Sequence, residues 1–98
     1  EINNALDRRG ASRSRLLYQR GVTQAVLDRD KDAALSFMRV VIHFSPTSQW
    51  YTPALIEAGK VMQRLGQPEH ARTLWSEAVA QGDEEQEQQA QQLLDALE

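Results

Sequence analysis

Apolar residues recur along this 98-residue chain at the three- and four-residue steps that are typical of amphipathic helices. The pattern predicts an all-α fold of five helices, over residues 12–27, 31–43, 49–65, 68–80 and 84–97. Asp30 and Asp83 are the expected N-caps of the second and fifth helices. The third helix has two alternative starts, after Ser48 or after Thr52, because Pro53 suits a first turn but not a helix interior.

The apolar pattern of the first two helices occurs a second time further along the chain, with side chains of the same size class. The first set is Leu17, Gly21, Leu27, Ala33, Phe37 and Val41, and the second is Leu55, Gly59, Leu65, Ala71, Trp75 and Val79. The residue numbers of every pair differ by 38. A fixed period of this length is typical of a helical solenoid, in which each hairpin of helices buries its apolar face on the next. The period therefore predicts two full repeats followed by a capping or partial-repeat helix.

A single domain over residues 1–98 follows from this period. Residues 12–45 form the first repeat, 49–82 the second and 83–98 the capping helix, while 1–11 are an N-terminal extension or the remnant of a preceding repeat. Because the chain begins with Glu1 and not with Met, we expect that an upstream segment was cleaved, cut away or left out.

Small and aromatic residues alternate between the two helices of each repeat. Gly21 and Gly59 let the helix backbones approach closely, and a glycine inside a helix costs about 1 kcal/mol unless packing requires it. Ala33 and Ala71 do the same on the second helices, where Phe37 and Trp75 fill the wedge toward the next pair. Gly66 is placed to end the third helix in the left-handed conformation, and Pro68 to open the fourth.

This set of positions resembles the tetratricopeptide repeat family. That family has a helix-turn-helix unit with small residues at its eighth and twentieth positions and an aromatic at its twenty-fourth, which the glycines, alanines and aromatics above match. Two departures are the period of 38, against about 34 in the family, and Ser45 at the closing proline position, with Pro46 one step late. The run from Pro46 to Trp50, followed by Ala54-Leu55 and Gly59, resembles the bacterial Tol-Pal-associated and outer-membrane-assembly members, which implies a periplasmic, cell-envelope protein.

The resemblance also implies a concave groove that binds a partner. Carried over residue by residue, its lining is Arg15, Tyr18, Val22, Ala25, Val26, Pro53, Ile56, Lys60, Gln63, Arg64, Gln91 and Leu94. The helical spacing of the residues supports this groove in part, because Lys60 and Arg64 form an i,i+4 pair on the face opposite Leu55 and Gly59. Such a groove suits an apolar, acidic or C-terminal peptide. In the alternative, its apolar residues cover a missing repeat and its charges face water.

Charge is distributed unevenly although the net charge is only −3. Residues 1–31 hold seven basic and four acidic residues, whereas the stretch after Arg72 holds seven acidic residues and no basic one. This asymmetry is consistent either with electrostatic docking between the ends of two copies or with ordinary solvated helix faces. Arginines without lysine clusters or interleaved aromatics do not indicate nucleic-acid binding.

Residue types that carry chemistry are scarce. There is no cysteine, and the two histidines, His43 and His70, have neither a ligand-like spacing nor a catalytic partner, so we expect no metal, no cofactor and no enzymatic activity. No apolar run approaches the length that spans a bilayer, roughly 20 residues, so no direct membrane insertion is expected. Trp50 and Tyr51 are either buried under the start of the third helix or exposed anchors for a partner.

The function that follows is a non-catalytic scaffold or adaptor that binds another protein or peptide in its groove. A self-association module is the alternative, because solenoids need about three repeats for stability and the two ends carry opposite charge. A regulatory segment of a larger protein is a third hypothesis.

Overall fold

A computed structural model describes the backbone of residues 2–44 and 46–97 and the side chains of residues 13–44 and 46–97. Its helices are α1 (Ile2–Val26), α2 (Asp30–His43), α3 (Tyr51–Arg64), α4 (Pro68–Gln81) and α5 (Glu84–Leu97). The described residues contain no strand, so the predicted all-α class is confirmed. Ser45 and the side chains of residues 1–12 lie outside the described residues, and the division of the chain into repeats stays a prediction.

Helix α1 begins ten residues before the predicted start, at Ile2 rather than Ser12. The intervening stretch contains no proline, and its one glycine, Gly10, does not interrupt the helical hydrogen bonds. The apolar pattern fades there, which is why periodicity alone placed the start too late.

Two of the predicted N-caps were wrong and one is confirmed. Asp30 is the first residue of α2 and not its cap, and α3 begins at Tyr51, between the two predicted starts. Asp83 does cap α5, because its Oδ1 accepts a hydrogen bond from the Gln86 N–H at 2.8 Å. The Gln86 side chain returns the bond by accepting from the Asp83 N–H at 3.0 Å. This reciprocal pair satisfies two amide groups that the helix start would otherwise leave unbonded.

The turns that close the hairpins α1–α2 and α3–α4 have the same hydrogen bonds at positions 38 residues apart. After α3, Gly66 adopts a left-handed φ of 78°, as predicted, and the Gln67 N–H donates to the Met62 carbonyl at 2.8 Å. After α1, Asp28 takes that position with a φ of 62°, and the Arg29 N–H donates to the Gln24 carbonyl at 2.8 Å. Both turns therefore end their helices with the same left-handed cap.

Exchanging the residues at these two caps should change stability in opposite directions. Asp28→Gly is expected to raise the free energy of unfolding by about 0.5–1 kcal/mol, because a left-handed φ is strained for residues with a Cβ and not for glycine. Gly66→Asp is the matched reverse change and should lower the free energy of unfolding. A Cβ on Gly66 meets no atom within 4 Å, so this loss of stability reflects the backbone conformation alone. Urea unfolding followed by circular dichroism measures both; destabilisation by Asp28→Gly would contradict the cap.

Successive helices pack against each other, and α3 also contacts α1 and α5. The odd-numbered helices therefore form one row, while α2 and α4 lie on the other side with a groove between them. This arrangement gives the chain an elongated shape of 49 × 30 × 18 Å. The core between the two rows is made of Phe37, Val40, Leu55, Val61, Trp75 and several alanines.

A glycine on each of α1 and α3 faces an aromatic ring on the following helix. A Cβ on Gly21 would stand 2.6 Å from Cε1 of Phe37, and one on Gly59 would overlap the indole of Trp75. Both rings are fully buried, and the Trp75 Nε1–H donates to the Ile56 carbonyl at 3.0 Å. The absence of a side chain at these glycines thus lets each ring lie directly on the neighbouring backbone.

Candidate functional site

A cleft runs across the exposed side of the row formed by α1, α3 and α5. One part, of about 130 Å³, is lined by Tyr18, Pro53, Ile56, Glu57, Gln86 and Gln89. A wider part, of about 510 Å³, is lined by Tyr18, Gln19, Val22, Thr23 and Trp50. Tyr18 lines both parts, and we refer to the ten lining residues together as the α1/α3/α5 cleft.

Tyr18 lies at the centre of this cleft because of its position on α1. It stands three residues before Gly21, so its ring lies beside Phe37, with the ring centroids 5.6 Å apart and inclined at 59°. On its other side the Trp50 ring lies at 5.1 Å and 37°. Burial raises the pKa of the Tyr18 phenol, and the nearby Glu57 carboxylate raises it further. Tyr18 therefore stays neutral at physiological pH and can donate a hydrogen bond.

Trp50 is half-buried, and its indole nitrogen is fully covered without a hydrogen-bond partner among the described residues. The sequence left open whether Trp50 is an exposed anchor for a partner or is buried under the start of the third helix. Its partial burial is intermediate between these two alternatives. Tyr51 is buried, and its hydroxyl hydrogen-bonds Glu77 at 3.2 Å. The Trp50 ring is held by Tyr18 rather than by a polar contact.

The two tryptophans should respond differently to replacement by phenylalanine. Trp50→Phe removes a buried donor whose unsatisfied state costs about 1–3 kcal/mol, which offsets the lost apolar contact, so we expect a change within about 1 kcal/mol. Trp75→Phe removes a made hydrogen bond and opens a cavity, and should lose about 2 kcal/mol or more. Urea unfolding followed by circular dichroism compares them; equal losses would contradict the unsatisfied state of Trp50.

The charged side chains near the cleft are already paired. Lys60 Nζ lies 2.9 Å from the Glu57 carboxylate, and Arg64 reaches across to Asp30 at the start of α2 at 3.1 Å. Glu57 is the single charged residue of the cleft lining, and Lys60 neutralises it. The remaining polar lining consists of Gln19, Thr23, Gln86 and Gln89, so the cleft presents amide and hydroxyl groups rather than net charge.

The structure brings together some of the sequence-predicted groove residues and separates others. Tyr18, Val22, Pro53 and Ile56 line the cleft, and Lys60 borders it through Glu57. The others do not line it: Arg15, Val26, Gln63 and Gln91 are exposed, Arg64 is paired with Asp30, and Ala25 and Leu94 pack partly buried against the core.

Five lining residues were missed by the sequence reasoning: Gln19, Thr23, Glu57, Gln86 and Gln89. Trp50 was considered as an anchor for a partner but not as part of the groove. On α5 the cause is a shift along the helix axis. The repeat offset of Pro53 and Ile56 pointed to Gln91 and Leu94, but α5 starts at Glu84, five residues ahead of the position equivalent to Tyr51. Sequence does offer one signal, since Gln86 and Gln89 stand three residues apart and border the apolar stripe of α5.

The two histidines lie on the surface of the second helices of the hairpins. His43 and His70 are exposed, on α2 and α4 respectively. Among the described residues, no three histidine, cysteine, aspartate or glutamate side chains are grouped so that they could hold a metal ion. None of the described helices combines the length and the apolar character required to cross a membrane.

Comparison with known protein families, with characterised protein sequences and with solved structures found no match to this chain.

Proposed function

We propose that this chain is a non-catalytic protein–protein interaction module of the tetratricopeptide type, which holds an extended peptide segment of a partner in the α1/α3/α5 cleft. The observation that carries this proposal is the α1/α3/α5 cleft, whose two parts share Tyr18, with Trp50 in the wider part and Gln86 and Gln89 in the narrower part. The two hairpin turns with the same hydrogen bonds support the repeat architecture.

The cleft chemistry favours a particular kind of segment. Aromatic rings supply apolar area at low entropic cost, and each glutamine amide offers both a donor and an acceptor to a peptide main chain. Lys60 and Arg64 are neutralised by Glu57 and Asp30, which removes the main reason to expect an acidic peptide. We therefore propose a neutral segment with an apolar side chain that contacts Tyr18, and an affinity that changes little with salt.

A selected peptide tests this directly. A peptide chosen from a displayed library against the wild-type protein should bind the double variant Gln86→Ala/Gln89→Ala about tenfold or more weakly, because two main-chain hydrogen bonds are lost. Gln88→Ala/Gln92→Ala is the control on the exposed outer face of α5. Asp83→Ala is a second control, because Gln86→Ala also removes the reciprocal cap that Gln86 forms with Asp83. Isothermal titration gives the dissociation constants. Equal affinity of the two double variants would remove the cleft as the binding site.

Self-association is the second candidate, and the charge distribution favours it. Residues 13–43 carry six basic and three acidic side chains, whereas residues 66–97 carry one basic and seven acidic ones. Opposite ends of two copies would therefore attract each other at low salt. Sedimentation equilibrium separates the candidates, because a monomer at high micromolar concentration and low salt excludes self-association.

The resemblance to bacterial envelope members rests on the short run from Pro46 to Trp50 and on Ala54-Leu55 with Gly59. On that basis we propose a periplasmic location for this protein. Fractionation of cells that express the tagged protein would test it, and recovery in the cytoplasmic fraction would contradict it.

A further inference from the structure

One face of α1 is uncovered, although the equivalent face of α3 is buried. On α3 this face carries Ala54, Ala58 and Val61, all nearly or fully buried. Gly59 faces Trp75 on α4, and Ile56 and Glu57 face the cleft. Because α2 is the other helix that packs extensively on α3, we infer that α2 covers this remaining face. The equivalent face of α1 is therefore expected to accept a helix in the same way that α3 accepts α2.

On α1 the equivalent positions, one period earlier, are Leu16, Arg20 and Thr23, and Leu27 continues the same face one turn on. Leu16 is 63% exposed and Leu27 is 62% exposed. On α2, Leu35 is 58% exposed, and it corresponds to Thr73, which lines the groove between α2 and α4. Three large apolar side chains, Leu16, Leu27 and Leu35, therefore border the surface of α1 that is equivalent to the α2-binding surface of α3. We call this surface, with its leucines, the α1 end face.

Arginines surround these leucines. Arg13 and Arg20 stand three residues before and four residues after Leu16, on the same side of the helix. Arg39 lies one turn beyond Leu35 on α2. All three are exposed, and none of them forms an ion pair within the described part of the chain. A surface with apolar centres and unpaired guanidinium groups is complementary to an apolar stripe flanked by carboxylates.

We propose that the α1 end face binds an acidic amphipathic helix of a partner protein, in the position that α2 takes on α3. A helix fits because α2 and α4 show that this fold covers such faces with helices, each of 14 residues. Leu16 and Arg20 are larger than Ala54 and Ala58, so the bound helix lies further from α1 than α2 lies from α3. This surface adjoins the α1/α3/α5 cleft at Thr23, and its leucines and arginines lie outside the cleft lining, so it is a second interaction site.

A second copy of the chain fits the end face less well. The acidic helix of this chain, α5, turns Glu84, Gln88, Gln91 and Asp95 outward and its leucines toward the core, so it offers no apolar stripe to Leu16 and Leu27. Two end faces packed on each other would bring arginines together, which is unfavourable.

The probe is a helix-stabilised peptide with the sequence of residues 30–43, in which Lys31 and Arg39 are replaced by glutamate. It keeps the apolar stripe of α2 and makes its flanks acidic. One control peptide has the unmodified, basic sequence, and another keeps the glutamates but has Phe37 and Val41 replaced by glutamine. Binding is followed by two-dimensional NMR of the isotope-labelled protein, which also locates the site.

We expect the acidic amphipathic peptide to shift the signals of Leu16 and Leu27 and to leave Gln89 in the cleft unchanged. Arg20→Glu should weaken this binding about tenfold or more, whereas Arg72→Glu, the same charge reversal on exposed α4, should change it less than about twofold. Both arginines are exposed, so neither variant should unfold the protein.

Four outcomes would overturn the proposal. Binding of the basic peptide with equal affinity would remove the charge requirement, and equal binding of the glutamine control would reduce the contact to plain electrostatic attraction. The absence of shifts at millimolar peptide would show that the face receives no helix. Self-association that Arg20→Glu abolishes would assign the face to a second copy.

Discussion

Trp75→Ala is expected to lower the free energy of unfolding by about 3–5 kcal/mol. Its ring is fully buried between α3 and α4, and its indole N–H donates to the Ile56 carbonyl, so the change opens a cavity and breaks a buried hydrogen bond. Phe37→Ala should lose a comparable amount in the first hairpin. For a domain of this size, whose total stability is about 5–15 kcal/mol, either loss is a large fraction.

Ile42→Ala is the matched control for these truncations, because Ile42 lies on α2 and is mostly exposed. It should change stability by less than about 0.5 kcal/mol. Urea unfolding of all three variants, followed by circular dichroism at several protein concentrations, gives the comparison. If Trp75→Ala and Phe37→Ala were as mild as Ile42→Ala, the two rings could not be the centre of the core.

Gly59→Ala and Gly21→Ala should both destabilise the protein, although alanine is the better helix former by about 1 kcal/mol. A methyl group on Gly59 overlaps the Trp75 indole, and one on Gly21 stands 2.6 Å from the Phe37 ring, so the helices must separate or the rings must move. Overpacking of this kind costs about 1–3 kcal/mol. The net effect is therefore opposite in sign to the intrinsic helix propensity.

A double-mutant cycle isolates the steric cause. Gly59→Ala in a Trp75→Leu background removes the rigid indole that the new methyl group would meet, so the substitution should become neutral or stabilising there. Equilibrium unfolding of the wild type, both single variants and the double variant gives the coupling energy. A Gly59→Ala loss of the same size in both backgrounds would show that Trp75 is not the neighbour that requires glycine.

The sequence predicted close packing of the helices at Gly21 and Gly59, but it placed the aromatic rings in the wedge toward the next pair, whereas each ring lies on the glycine of its own hairpin. Gly21 and Phe37, like Gly59 and Trp75, lie on consecutive helices joined by one short turn, and the repeat period marks both pairs. The left-handed cap at Gly66 was predictable from the residue type. Asp28 fills the same cap without glycine, and its conformation became evident only from its hydrogen bonds.

The character of the cleft could not be predicted from the sequence, because it depends on contacts between distant residues. Arg64 is neutralised by Asp30, far earlier in the chain, and no local pattern connects the two. Gln86 and Gln89 line the cleft because α5 is shifted along its axis relative to α3, whereas the repeat offset pointed to Gln91 and Leu94. Sequence therefore indicated the helices that form the site, but neither its polar lining nor its charge.

The central claim is that in each of two similar hairpins an aromatic ring on the second helix packs directly on a glycine of the first helix. A nuclear Overhauser spectrum tests it most directly. We expect cross-peaks from the Trp75 indole N–H to the Gly59 Hα protons and from the Phe37 ring to the Gly21 Hα protons, with these glycine signals moved upfield by the rings. Glycine Hα shifts at random-coil values without either set of cross-peaks would contradict the hairpin packing and the site built on it.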